Sequence, residues 1–230
     1  MKIARESLEK RIDIIFKNKK LLQNVFIHRS YLNENKNFEM PSNEKLEFLG
    51  DSVLSLTTSI HLYHNYVHLE EGDYTDIKAS IVRTESLAEV ASELELGEYL
   101  YLSRGEERGG GRKKTNILAD VFEALIAAIF IDQGFDIASN FITKYLFAER
   151  LDFIIGNKLY LSPKSRLQEI TQAKFKELPT YNITSEMGPE HKKQFSVEAI
   201  INGKIKGKGT GKSKKQAEEK AAQNALDNLS

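Results

Sequence analysis

No cysteine occurs in the 230 residues. The chain therefore forms no disulfide, holds no metal through sulfur and uses no cysteine nucleophile, which removes zinc fingers and thiol hydrolases from consideration and is compatible with a reducing compartment. Long apolar runs are missing too. The N-terminal MKIARESLEKR lacks the continuous apolar core of a signal peptide, and no later stretch approaches the roughly 20 residues needed to cross a bilayer without charge. These absences lead us to expect a cytoplasmic protein with no membrane partner.

Net charge is absent as well, with 33 Lys and Arg against 33 Asp and Glu, but the zero hides a division. Residues 1–157 hold 19 basic and 25 acidic side chains, whereas residues 158–230 hold 14 and 8. An acidic first part is suited to holding cations, and a compact basic second part to holding a polyanion such as nucleic acid. Charge asymmetry between domains is common, so this division alone decides little.

In the first part apolar residues recur at intervals of three and four in LEKRIDIIF, EKLEFLGDSVLSLTTSIHLY, TDIKASIVRTESLAEVASEL and ILADVFEALIAAIF, while strand-like alternation is nearly missing. Gly72 and Asp73 precede a helix expected to begin near Thr75. Arg104–Thr115 reads as a glycine-rich basic loop, and Phe135–Ile155 as a closing amphipathic segment. From Pro163 the pattern changes to a helix (SRLQEITQAKF), two alternating segments (TYNITSEM and FSVEAIING), a third extended segment (KIKGKGTG) and a last helix (SKKQAEEKAAQNALDNL). The reading is multidomain: an all-α domain over 1–155, a linker over 156–161 and an α+β (αβββα) domain over 162–230. GKGTG lacks a full P-loop pattern and the buried strand that precedes one, so it is not read as a nucleotide loop.

Two acidic clusters interrupt the helical part. In NEKLEFLGD, Glu44, Glu47 and Asp51 fall on one helical face, where like charges repel unless something neutralises them. Asp120 and Glu123 are three apart inside the most apolar run of the chain, with no basic residue within one turn. Asp120 reads either as a helix cap or as a mid-helix acid. Crossed face to face, two such helices gather carboxylates suited to magnesium or manganese, which can activate water and orient a phosphodiester. The alternative for Glu44 and Glu47 is a solvated face satisfied by nearby bases. His28, His61, His64, His68 and His191 show no pairing with an activated partner, which weakens a histidine acid-base mechanism. His61, His64 and His68 share one helical face, read as surface or interface positions in preference to a metal cluster.

On these motifs the sequence resembles bacterial ribonuclease III, an endonuclease specific for double-stranded RNA, over essentially its whole length. NEKLEFLGD matches the family signature with a conservative basic residue at Lys45, HRS at His28–Ser30 matches an upstream motif, and ILADVFEALI from Ile117 to Ile126 matches the second acidic motif. The resemblance implies that Glu47, Asp51, Asp120 and Glu123 coordinate Mg2+, with Mn2+ able to substitute, and that Asp51 and Glu123 are catalytic. It assigns Glu44 to substrate handling or the dimer interface. It further implies a homodimer that cuts duplex RNA with metal-activated water, leaving 5′-phosphate and 3′-hydroxyl ends with two-nucleotide 3′ overhangs, in the processing of ribosomal precursors and other structured transcripts.

Residues 162–229 similarly resemble a double-stranded RNA-binding domain. By that resemblance Gln168 and Glu169 on the first helix face minor-groove hydroxyls, and His191 in GPEH reaches a second minor groove. Lys212, Lys214 and Lys215 sit where the helix dipole disfavours cations, an anomaly that bound phosphates would remove. In the first domain Arg108, Arg112, Lys113 and Lys114 are candidate contacts to the RNA backbone, with a flexible solvated loop as the alternative.

Overall fold

A helix built from Ile117–Ile129 is apolar on nearly every side and must be covered all round. The computed structural model describes residues 2–189 and 193–229, and it places this segment at the centre of a helical unit spanning Met1–Ile155. The helices of this unit are α1 (Lys2–Ile12), α2 (Lys19–Val25), α3 (Arg29–Glu34), α4 (Glu44–Asn65), α5 (Glu71–Ile81), α6 (Thr84–Glu93), α7 (Arg104–Arg108), α8 (Thr115–Gln133), α9 (Phe135–Ile142) and α10 (Ala148–Gly156). Helices α4, α6, α9 and α2 pack around α8. Val121, Phe122, Ala124, Leu125, Ile126, Ala127, Ala128 and Ile129 are consequently fully buried.

One glycine sets how closely α4 and α8 approach. A Cβ placed on Gly50 of α4 would lie 1.9 Å from the carbonyl oxygen of Glu123 and 2.5 Å from its carbonyl carbon, so the two backbones touch there. The start of α4 is fixed by Asn43, only 3% exposed. Its side-chain amide donates to the Val25 carbonyl (3.0 Å), and its backbone N–H donates to the Ile27 carbonyl (2.9 Å).

Three local expectations are corrected. Helix α5 begins at Glu71 rather than near Thr75: the Glu70 N–H donates to the Asp73 carboxylate at 3.2 Å, which draws Gly72 and Asp73 into the first turn. The closing amphipathic segment Phe135–Ile155 is divided, because a π-helical turn at Thr143–Phe147 separates α9 from α10. The segment 104–115 is ordered by α7 and a 3-10 turn at Gly111–Lys113.

The second unit, Gly156–Ser230, contains α11 (Pro163–Phe175), β1 (Thr180–Met187), β2 (Gln194–Ile201), β3 (Lys204–Gly211) and α12 (Lys214–Asp227). The strands form an antiparallel sheet in the order β1-β2-β3. Phe195, Val197, Ala199 and Ile201 of β2 build its apolar face with Leu167 of α11 and Ala217, Ala221, Ala222, Ala225 and Leu226 of α12. The GKGTG glycines have a packing role. Gly207, Gly209 and Gly211 face the alanines of α12 so closely that a Cβ on Gly209 would sit 2.3 Å from Ala217 O and Ala221 N.

Gly50→Ala forces the α4–α8 contact apart and lowers stability by about 2 kcal/mol or more. Gly72→Ala, whose Cβ would meet nothing within 4 Å in the first turn of α5, is neutral or slightly stabilising. Thermal unfolding of the two full-length variants checks this, and equal melting temperatures would contradict the close-contact argument.

Candidate metal centre

Glu47 and Asp51 lie one turn apart on α4, and Asp120 and Glu123 lie on the face of α8 that α4 covers. Backbone contact at Gly50 brings these faces together. One carboxylate oxygen each from Glu47, Asp120 and Glu123 lies within 4.8 Å of the other two, and all three residues are half-buried. Asp120 stands in the second turn of α8, which makes it a mid-helix acid and not a cap. Asp51 is exposed and lies outside this converging trio.

Electrostatics nonetheless joins all four. Burial pushes the Glu123 carboxyl up to about 8, reinforced by the charges of Asp51, Glu47 and Asp120 in that order. Glu47 is raised by burial and then by Asp120 and Glu44. Burial also raises Asp120, against the pull of Arg29. Partly desolvated acids that raise one another are stabilised by a nearby cation. The donors are all carboxylate oxygens, so the residues fit a hard divalent ion such as magnesium or manganese. Among the described residues, no other group of three or more His, Asp or Glu converges this way.

Glu44 opens α4 at the margin of the cluster. It accepts a hydrogen bond from Ser42 Oγ (2.7 Å) and pairs with Arg29 at 3.6 Å. His28 is occupied as the cap of α3, where its Nδ1 accepts from the Ser30 N–H (3.3 Å) and stands 2.7 Å from Ser30 Oγ. Burial lowers its pKa. His61 packs on Phe147 with ring centroids 4.7 Å apart, His64 meets the edge of Tyr63, and His68 lies beside Tyr66. These three histidines make aromatic contacts and no metal cluster.

The candidate basic loop divides into two kinds of residue. Arg112 turns inward: its Nη1 donates to the carbonyls of Gly97 (2.8 Å) and Leu100 (3.1 Å), and its Nε pairs with Glu107 (2.6 Å). Lys114 pairs with Glu106 at 2.5 Å. Arg108 and Lys113 are exposed and stay outside these ion pairs. The segment is thus helical, with Arg112 and Lys114 ion-paired and Arg108 and Lys113 exposed.

In the second unit Ser213 caps α12 by accepting from the Gln216 N–H (3.2 Å), and the Lys212 N–H donates to Gln216 Oε1 (2.7 Å). Lys212, Lys214 and Lys215 are exposed at this helix start, which carries no acid in its first turn. Gln168 and Glu169 are exposed on α11, with Glu169 paired to Lys158 at 2.5 Å. His191 lies outside the described residues. Three positioning residues escaped the sequence reading: Asn43, Gly50 and Arg29. All three sit inside the quoted motifs NEKLEFLGD and HRS, so their signal was motif membership and not chemical type.

Residues 18–150 match the ribonuclease-III-like family, and residues 163–229 match the double-stranded RNA binding motif. The sequence is 44% identical over 199 residues to Ribonuclease 3 of Chloroflexus aurantiacus, covering 86% of this chain and 80% of that protein. It is 42% identical over 223 residues to Ribonuclease 3 of Oceanobacillus iheyensis, covering 97% of each. The fold resembles the crystal structure of the nuclease domain of ribonuclease III from Campylobacter jejuni, with a TM-score of 0.58 and 35% identity over 63% of this chain and 95% of that one. A helical domain with converging carboxylates, followed by an αβββα module, defines a two-domain nuclease. The chain belongs to the bacterial ribonuclease III family, with an N-terminal nuclease domain and a C-terminal double-stranded RNA-binding domain.

Because burial raises Glu123 above its ordinary 4.5, its contribution to stability is complete below that value and is lost as pH rises through about 8. In chelator the melting temperature should fall between pH 5 and 8, and Glu123→Gln should flatten part of that fall. Magnesium should raise the wild-type melting temperature more at pH 8 than at pH 6, since binding requires the carboxylates without protons. A pH-independent magnesium effect would contradict the assignment.

Proposed function

We propose that the protein is an endoribonuclease that hydrolyses phosphodiester bonds in double-stranded RNA, leaving 5′-phosphate and 3′-hydroxyl ends with two-nucleotide 3′ overhangs. The observation that carries this reading is the convergence of Glu47, Asp120 and Glu123 from two helices, in a chain that also contains a double-stranded RNA-binding domain. Glu47, Asp51, Asp120 and Glu123 would hold Mg2+, or Mn2+ in its place. Such an ion supplies Lewis-acid polarisation of the phosphate and activation of the attacking water.

The side chains of this protein do the rest. Burial raises both Glu47 and Glu123, so a bound cation favours the anionic form of each. His28 is held in its capping role, and among the described residues no histidine converges with the acids. Hydrolysis by water needs no 2′-hydroxyl nucleophile, so preference for RNA falls to recognition of duplex shape and grooves. Gln168, Glu169 and His191 are assigned to the minor grooves, and Lys212, Lys214 and Lys215 to the intervening phosphates.

We assign a homodimer. Phe48, Leu56, Ile60 and Tyr63 of α4 are exposed at helical spacing, with Phe48 78% exposed between two residues of the acidic signature, and a second copy would cover this apolar stripe. The protein would act in the cytoplasm on ribosomal RNA precursors and other structured transcripts.

End-labelled duplex RNA, with matched duplex DNA and single-stranded RNA as controls, tests the activity. Cuts confined to duplex RNA in magnesium and abolished by chelator are expected; tight binding without cleavage in magnesium or manganese would overturn it. Glu123→Gln should retain duplex binding while slowing cleavage on the order of a hundredfold or more.

Replacing Lys214 and Lys215 together should weaken binding and reduce the salt dependence by up to about two phosphate contacts. An unchanged salt slope would remove those lysines from the interface.

A further inference from the structure

The acidic centre has a cation of its own. Arg29 is the first residue of α3, a short helix clamped on both sides. The His28 N–H donates to the Tyr101 carbonyl (3.2 Å), the Ser103 N–H donates to Ser30 Oγ (3.1 Å), and the Arg104 N–H donates to Glu34 Oε2 (3.0 Å). The backbone at Arg29 is thus fixed by three ties, whereas its side chain is 73% exposed and extends to Glu44, with Nη1 3.6 Å from Oε1. Its charge also reaches past Glu44 to Glu47 and Asp120, whose carboxyls it holds down against burial.

A guanidinium in this place needs a reason. Beside a centre that binds a divalent ion, a fixed positive charge weakens metal binding, so metal holding alone disfavours it. The pair with Glu44 is long and exposed, of the kind that contributes little and exchanges readily. The other ligand that must enter the centre is an anion, the backbone of the RNA strand. That anion meets a field of five carboxylates, Glu44, Glu47, Asp51, Asp120 and Glu123. A planar guanidinium on an anchored stem matches a phosphate through two parallel N–H donors.

Resting on the nuclease reading above, we infer that Arg29 is a substrate-positioning residue whose guanidinium leaves Glu44 and takes the non-bridging oxygens of a phosphate in the strand entering the acidic centre. Glu44 then serves as the holding partner that keeps the guanidinium at the mouth of the site when RNA is absent. Arg29 differs in this from the lysines of the second domain, which are assigned above to the phosphates between the minor grooves.

The test uses full-length Arg29→Gln and Arg29→Lys with a short RNA duplex. Steady-state kinetics and gel-shift affinity are measured across a salt series, and Mn2+ binding without RNA is followed by electron paramagnetic resonance. Arg29→Gln should raise KM and the duplex Kd about tenfold with kcat changed less than about threefold. It should also reduce the salt slope by about one phosphate contact and leave Mn2+ binding as tight or tighter. Arg29→Lys should recover the salt slope and only part of the affinity. Weaker Mn2+ binding or a lowered melting temperature in Arg29→Gln would overturn the inference in favour of a structural role. Unchanged affinity and salt slope with tighter Mn2+ binding would overturn it in favour of a mere counter-ion to Glu44. Failure of the wild type to cleave would refute the nuclease reading instead, and the affinity and salt-slope measurements would still decide whether Arg29 meets phosphate.

Discussion

Contact between the backbones of α4 and α8 at Gly50 is the constraint on which the candidate centre depends. A side chain there would overlap the Glu123 carbonyl, so only glycine lets the helices approach to this distance. The acids flank that point, with Glu47 and Asp51 on one helix and Asp120 and Glu123 on the other. Ordinary helix packing holds axes about 8–10 Å apart according to the side chains between them, and larger residues at the crossing would draw these carboxylates out of mutual range. The same glycine leaves a dense seam in which Val53 and Leu54 of α4 remain buried close to the acids. Packing and electrostatics are therefore coupled: the seam that excludes water is what raises Glu123.

Several small anchors convert this seam into a defined orientation. Asn43 ties the first turn of α4 to the end of α2 through the Val25 carbonyl, which fixes the rotation of the helix and the direction in which Glu44 and Glu47 leave it. His28 and Ser30 hold α3 against the segment Tyr101–Arg104 and so fix the base of Arg29. Arg112 fastens the start of α8 to the carbonyls of Gly97 and Leu100. None of these groups belongs to the acidic trio, yet Asn43 and Arg112 set the position of the helices that carry it, and His28 and Ser30 set that of the helix that carries Arg29.

Much of this was legible in the sequence because its signals are local. Acids at intervals of three and four, one pair inside an apolar helix, stand out in NEKLEFLGD and ILADVFEALI, and the change from helical to alternating periodicity at Pro163 marks the second fold. Most of what stayed hidden depends on partners far along the chain. Nothing local distinguishes Arg112, bound inward to carbonyls 12 to 15 residues earlier, from the exposed Lys113 beside it. The cap at Glu70 depends on a carboxylate three residues on, and reading Gly72 and Asp73 as a break moved the start of α5 too late. Gly50 reads as an ordinary helix weakness until α8 is seen against it. Motif resemblance compensates for this by marking Asn43, Gly50 and Arg29 as members of a pattern without saying what each does.

The second domain applies the same small-residue device to a different end. Glycines on β3 meet alanines on α12, and this lets the helix lie almost on the sheet backbone. A close, rigid junction of this kind fixes the direction of the helix axis, and with it the place where Ser213 ends the loop and Lys214 and Lys215 leave the first turn. Those lysines are unfavourable to the helix dipole in isolation, so the fold keeps them at a cost that an approaching phosphate can offset. Side-chain identity at the glycine–alanine junction thus governs the spacing of charges on the far surface, and spacing, more than base identity, is what a reader of A-form duplex shape must get right.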